Sequence, residues 1–148
     1  GATISNSGTA TGFGKILQVV TATDSTSRST TSTSFVTGSN TMSVSITPAS
    51  TSNKILLIAN FNIEHEDGTS GYGVRIVRNG TTIFTSKQKY NVLAVSAADR
   101  SQSTFMFEDS PSSTSQLTYK FQAASHASRE IRFQNAGQST YQAMEIKA

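Results

Sequence analysis

Four ionisable side chains stand in a row at Glu64-His65-Glu66-Asp67, the densest such cluster in the chain. Carboxylates two positions apart on a strand project from one face about 7 Å from each other. That is near the separation of the acid and base in an inverting glycosidase. Glu64 and Glu66 are therefore the pair from which a carbohydrate hydrolase could be assembled. Alternation sends His65 to the opposite face, so the four groups do not converge on one metal ion unless the strand bends. A second polar group, His126, Arg129 and Glu130, lies in and after the small-residue loop "ASHAS". With two histidines, no cysteine, no GxSxG elbow and no P-loop, nucleophilic and phosphoryl-transfer chemistry lack their parts. The expectation is a non-enzyme with no catalytic residue, no metal and no cofactor, and the hydrolase remains an alternative.

The elements that would hold these groups are strands. Serine and threonine supply roughly three residues in ten, and they alternate with apolar residues. In "MSVSIT", Met42, Val44 and Ile46 share one face and Ser43, Ser45 and Thr47 the other, the period of a half-buried strand. Pro48 ends it, because proline cannot donate to a sheet ladder. After a hydroxyl-rich turn, "KILLIANFNIEHE" starts with Ile55-Leu56-Leu57-Ile58, apolar on both faces, and then opens out. Leu57, Ala59, Phe61, Ile63 and His65 share one side, and Asn60, Asn62, Glu64 and Glu66 the other.

The "DGTSGYG" segment reads as a loop. Asn79-Gly80 in "VRIVRNGTTIFTS" predicts a two-residue hairpin that sets Ile76 opposite Ile83 and turns Val77 and Phe84 outward. "KILQVVTA" and "TSTSFVT" predict strands on either side of a polar "TDSTSRS" loop. Lys87 to Ser101 reads as a long connection with room for one helical turn. Phe105 with Phe107, Leu117 with Tyr119 and Phe121, "EIRFQN" and "YQAMEIKA" complete the strands. Eight to ten short strands with regular turn signals predict an all-β fold, an antiparallel sandwich of jelly-roll type.

Composition bounds the rest. A chain of 148 residues encloses one core. The charge of +3 comes from 12 basic and 9 acidic residues spread along the chain, without the basic stripe of a nucleic-acid binder. No apolar run approaches the ~18 residues of a membrane span. Residues 1–13, "GATISNSGTATGF", lack the charged and apolar regions of a signal peptide. They read as a connector from an upstream shaft, or else as a flexible terminus, followed by one domain over 14–148. Charges within strands (Arg75, Arg78, Lys120, Arg132) and outward apolar residues such as Met106 predict a face covered by another copy of the chain. The apolar start at Ile55 to Ile58 points the same way.

The ordered series "GKILQVV", "SFVTGSNTMSVSITPASTSNKILLI", "VRIVRNGTTI", "FEDSPSSTSQLTYKFQ" and "YQAMEIKA" resembles a domain found near the ends of bacteriophage tail fibres and related virion proteins. The resemblance covers Gly14 to Ala148 and contains no catalytic motif. It implies a homotrimeric fibre tip on the virion, made in the host cytoplasm. It further implies attachment to an upstream fibre or virion protein and binding of a host cell-surface glycan or protein. A head-fibre or capsid-decoration domain is the alternative within the same class. Loops are where such domains vary, so recognition is expected at Asp67, Tyr72, Lys87, Lys89, Tyr90, Asn91, Asp99, Arg100, His126 and Arg129. Aromatic and arginine side chains supply much of the energy at interfaces and on sugar faces.

Overall fold

The computed structural model describes residues 3–4, 10–11, 15–37, 42–65, 68–86, 90–95, 99–134 and 137–148. Among them there are strands and turns and no helix. Two short strands, β1 (Thr3–Ile4) and β2 (Ala10–Thr11), pair with each other. The sandwich begins with β3 (Ile16–Asp24), β4 (Arg28–Thr30), β5 (Val36–Thr37), β6 (Ser43–Ile46) and β7 (Lys54–His65). It continues with β8 (Gly68–Arg78), β9 (Thr81–Thr85), β10 (Tyr90–Val95) and β11 (Asp99–Asp109). The last strands are β12 (Leu117–Ser125), β13 (Ile131–Phe133) and β14 (Ser139–Ile146).

Several of these lie end to end along one neighbour. β13 and β14 share an edge of β7 while β11 takes the other, and β9 and β10 share the edge of β8 away from β12. Counting such pairs as single ribbons leaves eight. One sheet is then β3/β4, β13/β14, β7, β11, and the other is β5/β6, β12, β8, β9/β10. In chain order these are ribbons 1-8-3-6 and 2-7-4-5, all antiparallel. This is the interleaved double Greek key of a jelly roll.

Alternation decides which face is dry. Along β7 the residues Ile55, Leu57, Ala59, Phe61 and Ile63 are buried against Val44, Ile46, Val74, Ile76, Tyr119 and Phe121 of the other sheet. Phe61 is the hub, with the rings of Phe105, Phe121, Phe133 and Tyr141 set edge-on at 5.6–5.9 Å between centroids. Burying a side chain of this size contributes roughly 1.5–3 kcal/mol, so the core is concentrated there.

Buried polar groups close the two ends. At the Lys54 end, Glu145 accepts from Gln18 Nε2 (2.6 Å), Asn53 Nδ2 (2.6 Å) and the Ala49 amide (2.7 Å). It thereby holds the Pro48–Asn53 turn onto β14. Burial pushes this carboxyl up, but those donors outweigh it and hold the group below the usual carboxylate range. Nearby, Asp109 takes both Arg78 Nη1 (2.7 and 2.9 Å) and the Tyr119 hydroxyl (2.7 Å).

Four local expectations are corrected. The Asn79-Gly80 turn forms, both residues at positive φ, but the register slips after Val77 so that Phe84, not Ile83, faces Ile76. Ile83 is the extra residue of the bulge. Phe84 consequently points inward and its ring meets Phe107 at 5.4 Å. The "GTSGYG" residues form the start of β8 rather than a loop. Pairing with β10 on one side and β12 on the other supplies hydrogen bonds that offset glycine's entropy there. Within Lys87 to Ser101, the described residues form β10 and the start of β11, with no helical turn among them. Finally, Arg28 and Ser29 of the expected loop belong to a strand, Arg28–Thr30, beside β13, and only Val36–Thr37 of the expected "TSTSFVT" strand is one.

Candidate binding surfaces

Lys54 and His65 mark the ends of β7, about 36 Å apart at roughly 3.3 Å per residue. The cluster that opened the sequence lies at the His65 end. Glu64 points to the outer face of its sheet yet is only 4% exposed, because two arginines lie over it. Arg100 Nε donates to one oxygen at 2.6 Å and Arg132 Nη1 to the other at 2.7 Å. Arg132 also pairs with Glu130. A hydrogen bond from Ser29 and then Arg132 hold the Glu130 carboxyl below its usual range. Glu64 thus ties β11 and β13 to β7, whereas a general acid or base must be open to substrate. Its supposed companion Glu66 lies outside the described residues. His65 is buried on the opposite face, its ring tilted over Tyr72 at 5.5 Å. Among the described residues no three His, Asp or Glu side chains are placed to hold a metal.

The residues expected to carry recognition are unevenly placed. Asp99 and Arg100 pair across from His65 and Glu64, and the His126–Arg129 turn runs from the end of β12 toward β13, where Ile131 pairs with His65 at the same end. That turn carries Ala127 and Ser128 at positive φ, 59° and 55°. The Ser125 hydroxyl closes it onto the Arg129 carbonyl. These residues gather at one end of the sandwich. Tyr90 pairs with Tyr72 in the sheet, and Asn91 follows it in β10. Tyr72 is corrected from loop to core: it is 0% exposed, and its hydroxyl donates to Ser103 at 2.6 Å. Alternation within β8 turns it inward. Asp67, Lys87 and Lys89 lie outside the described residues.

At the other end, the outer face of the β7 sheet is apolar. Cross-strand register sets Glu108, Leu56, Met144 and Val19 in one row and Met106, Ile58, Gln142 and Thr21 in the next, with Ile146 and Ile16 below. Further along, the row Thr104, Asn60, Thr140, Thr23 is hydroxyl and amide, and the last, Arg100, Glu64, Arg132, Ser29, is charged. Ile16 is 56%, Val19 50% and Met106 66% exposed. Lys54 and Glu108 pair at 2.6 Å on the rim of this patch.

No family model matches the chain, and no curated protein matches it. Solved structures do. A chain of infectious bursal disease virus, Gx strain, superimposes over 86% of this chain and 32% of its own length, with a TM-score of 0.52 at 14% identity. The VP2 subviral particle of that virus matches over 86% of this chain and 37% of its own (TM-score 0.46, 15% identity). Dimeric latent PorU from Porphyromonas gingivalis matches over 88% and 13% (TM-score 0.38, 11% identity). The chain therefore spans about a third of the length of the viral chains it matches. At this identity the first of these likenesses establishes the shared sandwich fold.

Sequence reasoning singled out Met106 and the Ile55 to Ile58 run but missed Ile16, Leu17, Val19, Met144 and Ile146. The signal was present, since "KILQVV" and "YQAMEI" both carry apolar residues at successive alternate positions. It became legible only once β14 was known to lie between β3 and β7.

Proposed function

We propose that this chain is a structural domain of a virion, the tip of a homotrimeric bacteriophage fibre that attaches to a host cell surface. The observation that carries the reading is the apolar outer face of the β7 sheet. Single-chain proteins rarely leave a contiguous apolar patch of more than a few hundred Å² in water. Here Leu56, Ile58, Met106, Met144, Val19 and Ile16 adjoin on one surface, rimmed by the opposite charges of Lys54 and Glu108. A second and third copy of the same chain are its proposed cover, the rim charges fixing register between copies.

The polarity of the domain supports the same arrangement. β3 begins with Ile16 at the apolar end, where the proposed shaft would connect. Asp99, Arg100, His126 and Arg129 lie at the opposite end, where a host would be met. Three weak loop sites held together would raise avidity without a strong single site. The jelly-roll fold, shared with a chain of a virus particle, is compatible with this role and equally with a head-fibre or decoration domain. Light scattering at micromolar concentration tests it: the expected mass is three times the 15.7 kDa of one chain. A single-chain mass sinks the trimer.

A further inference from the structure

The outer face of the other sheet is shaped differently. Where the Asn79-Gly80 hairpin curls over β12, it leaves a depression of about 580 Å³ lined by Arg75, Val77, Thr82, Thr118, Lys120 and Gln122. This lies within the size range of small-molecule sites. Register explains its chemistry. Arg75 pairs with Gln122 and Val77 with Lys120, so the two cations are diagonal neighbours, about 7–8 Å apart along the sheet. No carboxylate is among the described residues that line it.

Three details go beyond a chance basic patch. The Arg75 guanidinium is stacked on the Phe35 ring, 4.3 Å from its centroid, which fixes its plane. Its Nε–H is buried with no acceptor among the described residues, a donor whose desolvation they do not compensate. Val77, 9% exposed, gives the floor a small apolar surface between hydroxyls and amides. A charged fork, hydroxyl and amide groups and an apolar floor together fit a ring that bears an anionic group on one side and C–H bonds on the other.

We propose that this depression binds a saccharide carrying an anionic group, a carboxylate or a phosphate ester. The inference rests on the host-attachment reading and gives it a lateral site that the loop residues do not include. Arg75 receives the anion through its planar fork, Lys120 adds charge from the neighbouring strand, and Thr118, Thr82 and Gln122 meet ring hydroxyls.

The test is a titration of the full chain with oligogalacturonate, glucose 1-phosphate, inorganic phosphate and neutral malto-oligosaccharide. The readout is amide chemical shifts at Val77, Lys120 and Gln122. One or both acidic sugars should shift these amides, and the neutral sugar and inorganic phosphate should bind at least tenfold more weakly. Lys120→Glu should weaken acidic-sugar binding at least tenfold. Lys120→Gln, which keeps the stem, should act in the same direction if the glutamate variant fails to fold. A response to oligogalacturonate alone assigns a carboxylated sugar, and one to glucose 1-phosphate alone a phosphorylated one. Equal binding of neutral and acidic sugars, equal binding of inorganic phosphate and sugar phosphate, silence at these amides, or unchanged binding by a folded Lys120 variant overturns the proposal. A trimer that ignores the sugars overturns only this site. A single-chain mass with an intact sugar response overturns only the trimer.

Discussion

The two outer faces of this sandwich begin from the same alternating pattern and end with opposite chemistry. On the β7 sheet the outward positions near Lys54 include Leu56, Ile58, Met106, Met144 and Val19, with Glu108, Gln142 and Thr21 beside them. On the β8–β12 sheet they are Arg75, Val77, Lys120, Gln122 and Thr118. Both rest on one core, so the fold does not require the difference. An apolar face left in water gains nothing for a single chain, whereas a basic, hydroxyl-lined hollow is stable in water as it stands. The contrast is what the proposed reading rests on, with contact between copies on the first face and a solvent-borne ligand on the second.

The strongest way to break the comparison is to remove what both faces share. Phe61→Ala deletes the ring at the centre of four aromatic contacts and should cost about 3–5 kcal/mol. Denaturant unfolding should show this loss, and both the oligomer and the sugar site should go with it. Glu145→Gln acts nearer the apolar face, where the carboxylate gathers β3, β14 and the Pro48–Asn53 turn. Hydrogen bonds to a buried charge contribute roughly 1.5–3 kcal/mol each, so a loss of about 2 kcal/mol is expected.

The same carboxylate sets an acid limit. Its folded-state pKa lies below the unfolded one, so its stabilisation is present above the ordinary carboxylate pKa of about 4.3. It is lost as pH falls through the folded value. Stability against pH should therefore drop on the acid side, and Glu145→Gln should flatten that limb. On the alkaline side, burial raises the phenol pKa of Tyr119 and Tyr141. Stability should fall above about pH 10, where the unfolded phenols ionise and the folded ones do not.

The smallest change sharpens the loop end. Ala127 holds φ at 59°, a left-handed conformation that costs a non-glycine residue about 1 kcal/mol. Ala127→Gly should raise the melting temperature by a few degrees without altering either outer face.

Much of the fold was legible because the alternation is strict. Met42, Val44 and Ile46, or Leu57, Ala59, Phe61 and Ile63, announce their inner face without help. The missed features depend on pairing rather than pattern. One inserted residue at Ile83 turns Phe84 inward, and no local signal marks that slip. The glycines of "GTSGYG" sit in a strand because two neighbours hold them there. Glu64 reads as chemistry until Arg100 and Arg132, distant in sequence, are seen to lie across it. Arg75 and Lys120 become neighbours only through the β8–β12 register. Tyr72 was placed among surface residues because its glycine neighbours suggested a loop, and strand alternation overrides them.

The central claim, that the apolar face joins copies and the basic face does not, is tested most directly by sedimentation of two charge variants beside the parent chain. Met106→Lys places a charge in the middle of the apolar patch, and Lys120→Glu reverses one in the hollow. The account predicts a three-chain mass for the parent and for Lys120→Glu, and a single-chain mass for Met106→Lys. A Met106→Lys protein that stays folded and trimeric, or a Lys120→Glu protein that falls apart while folded, would contradict it.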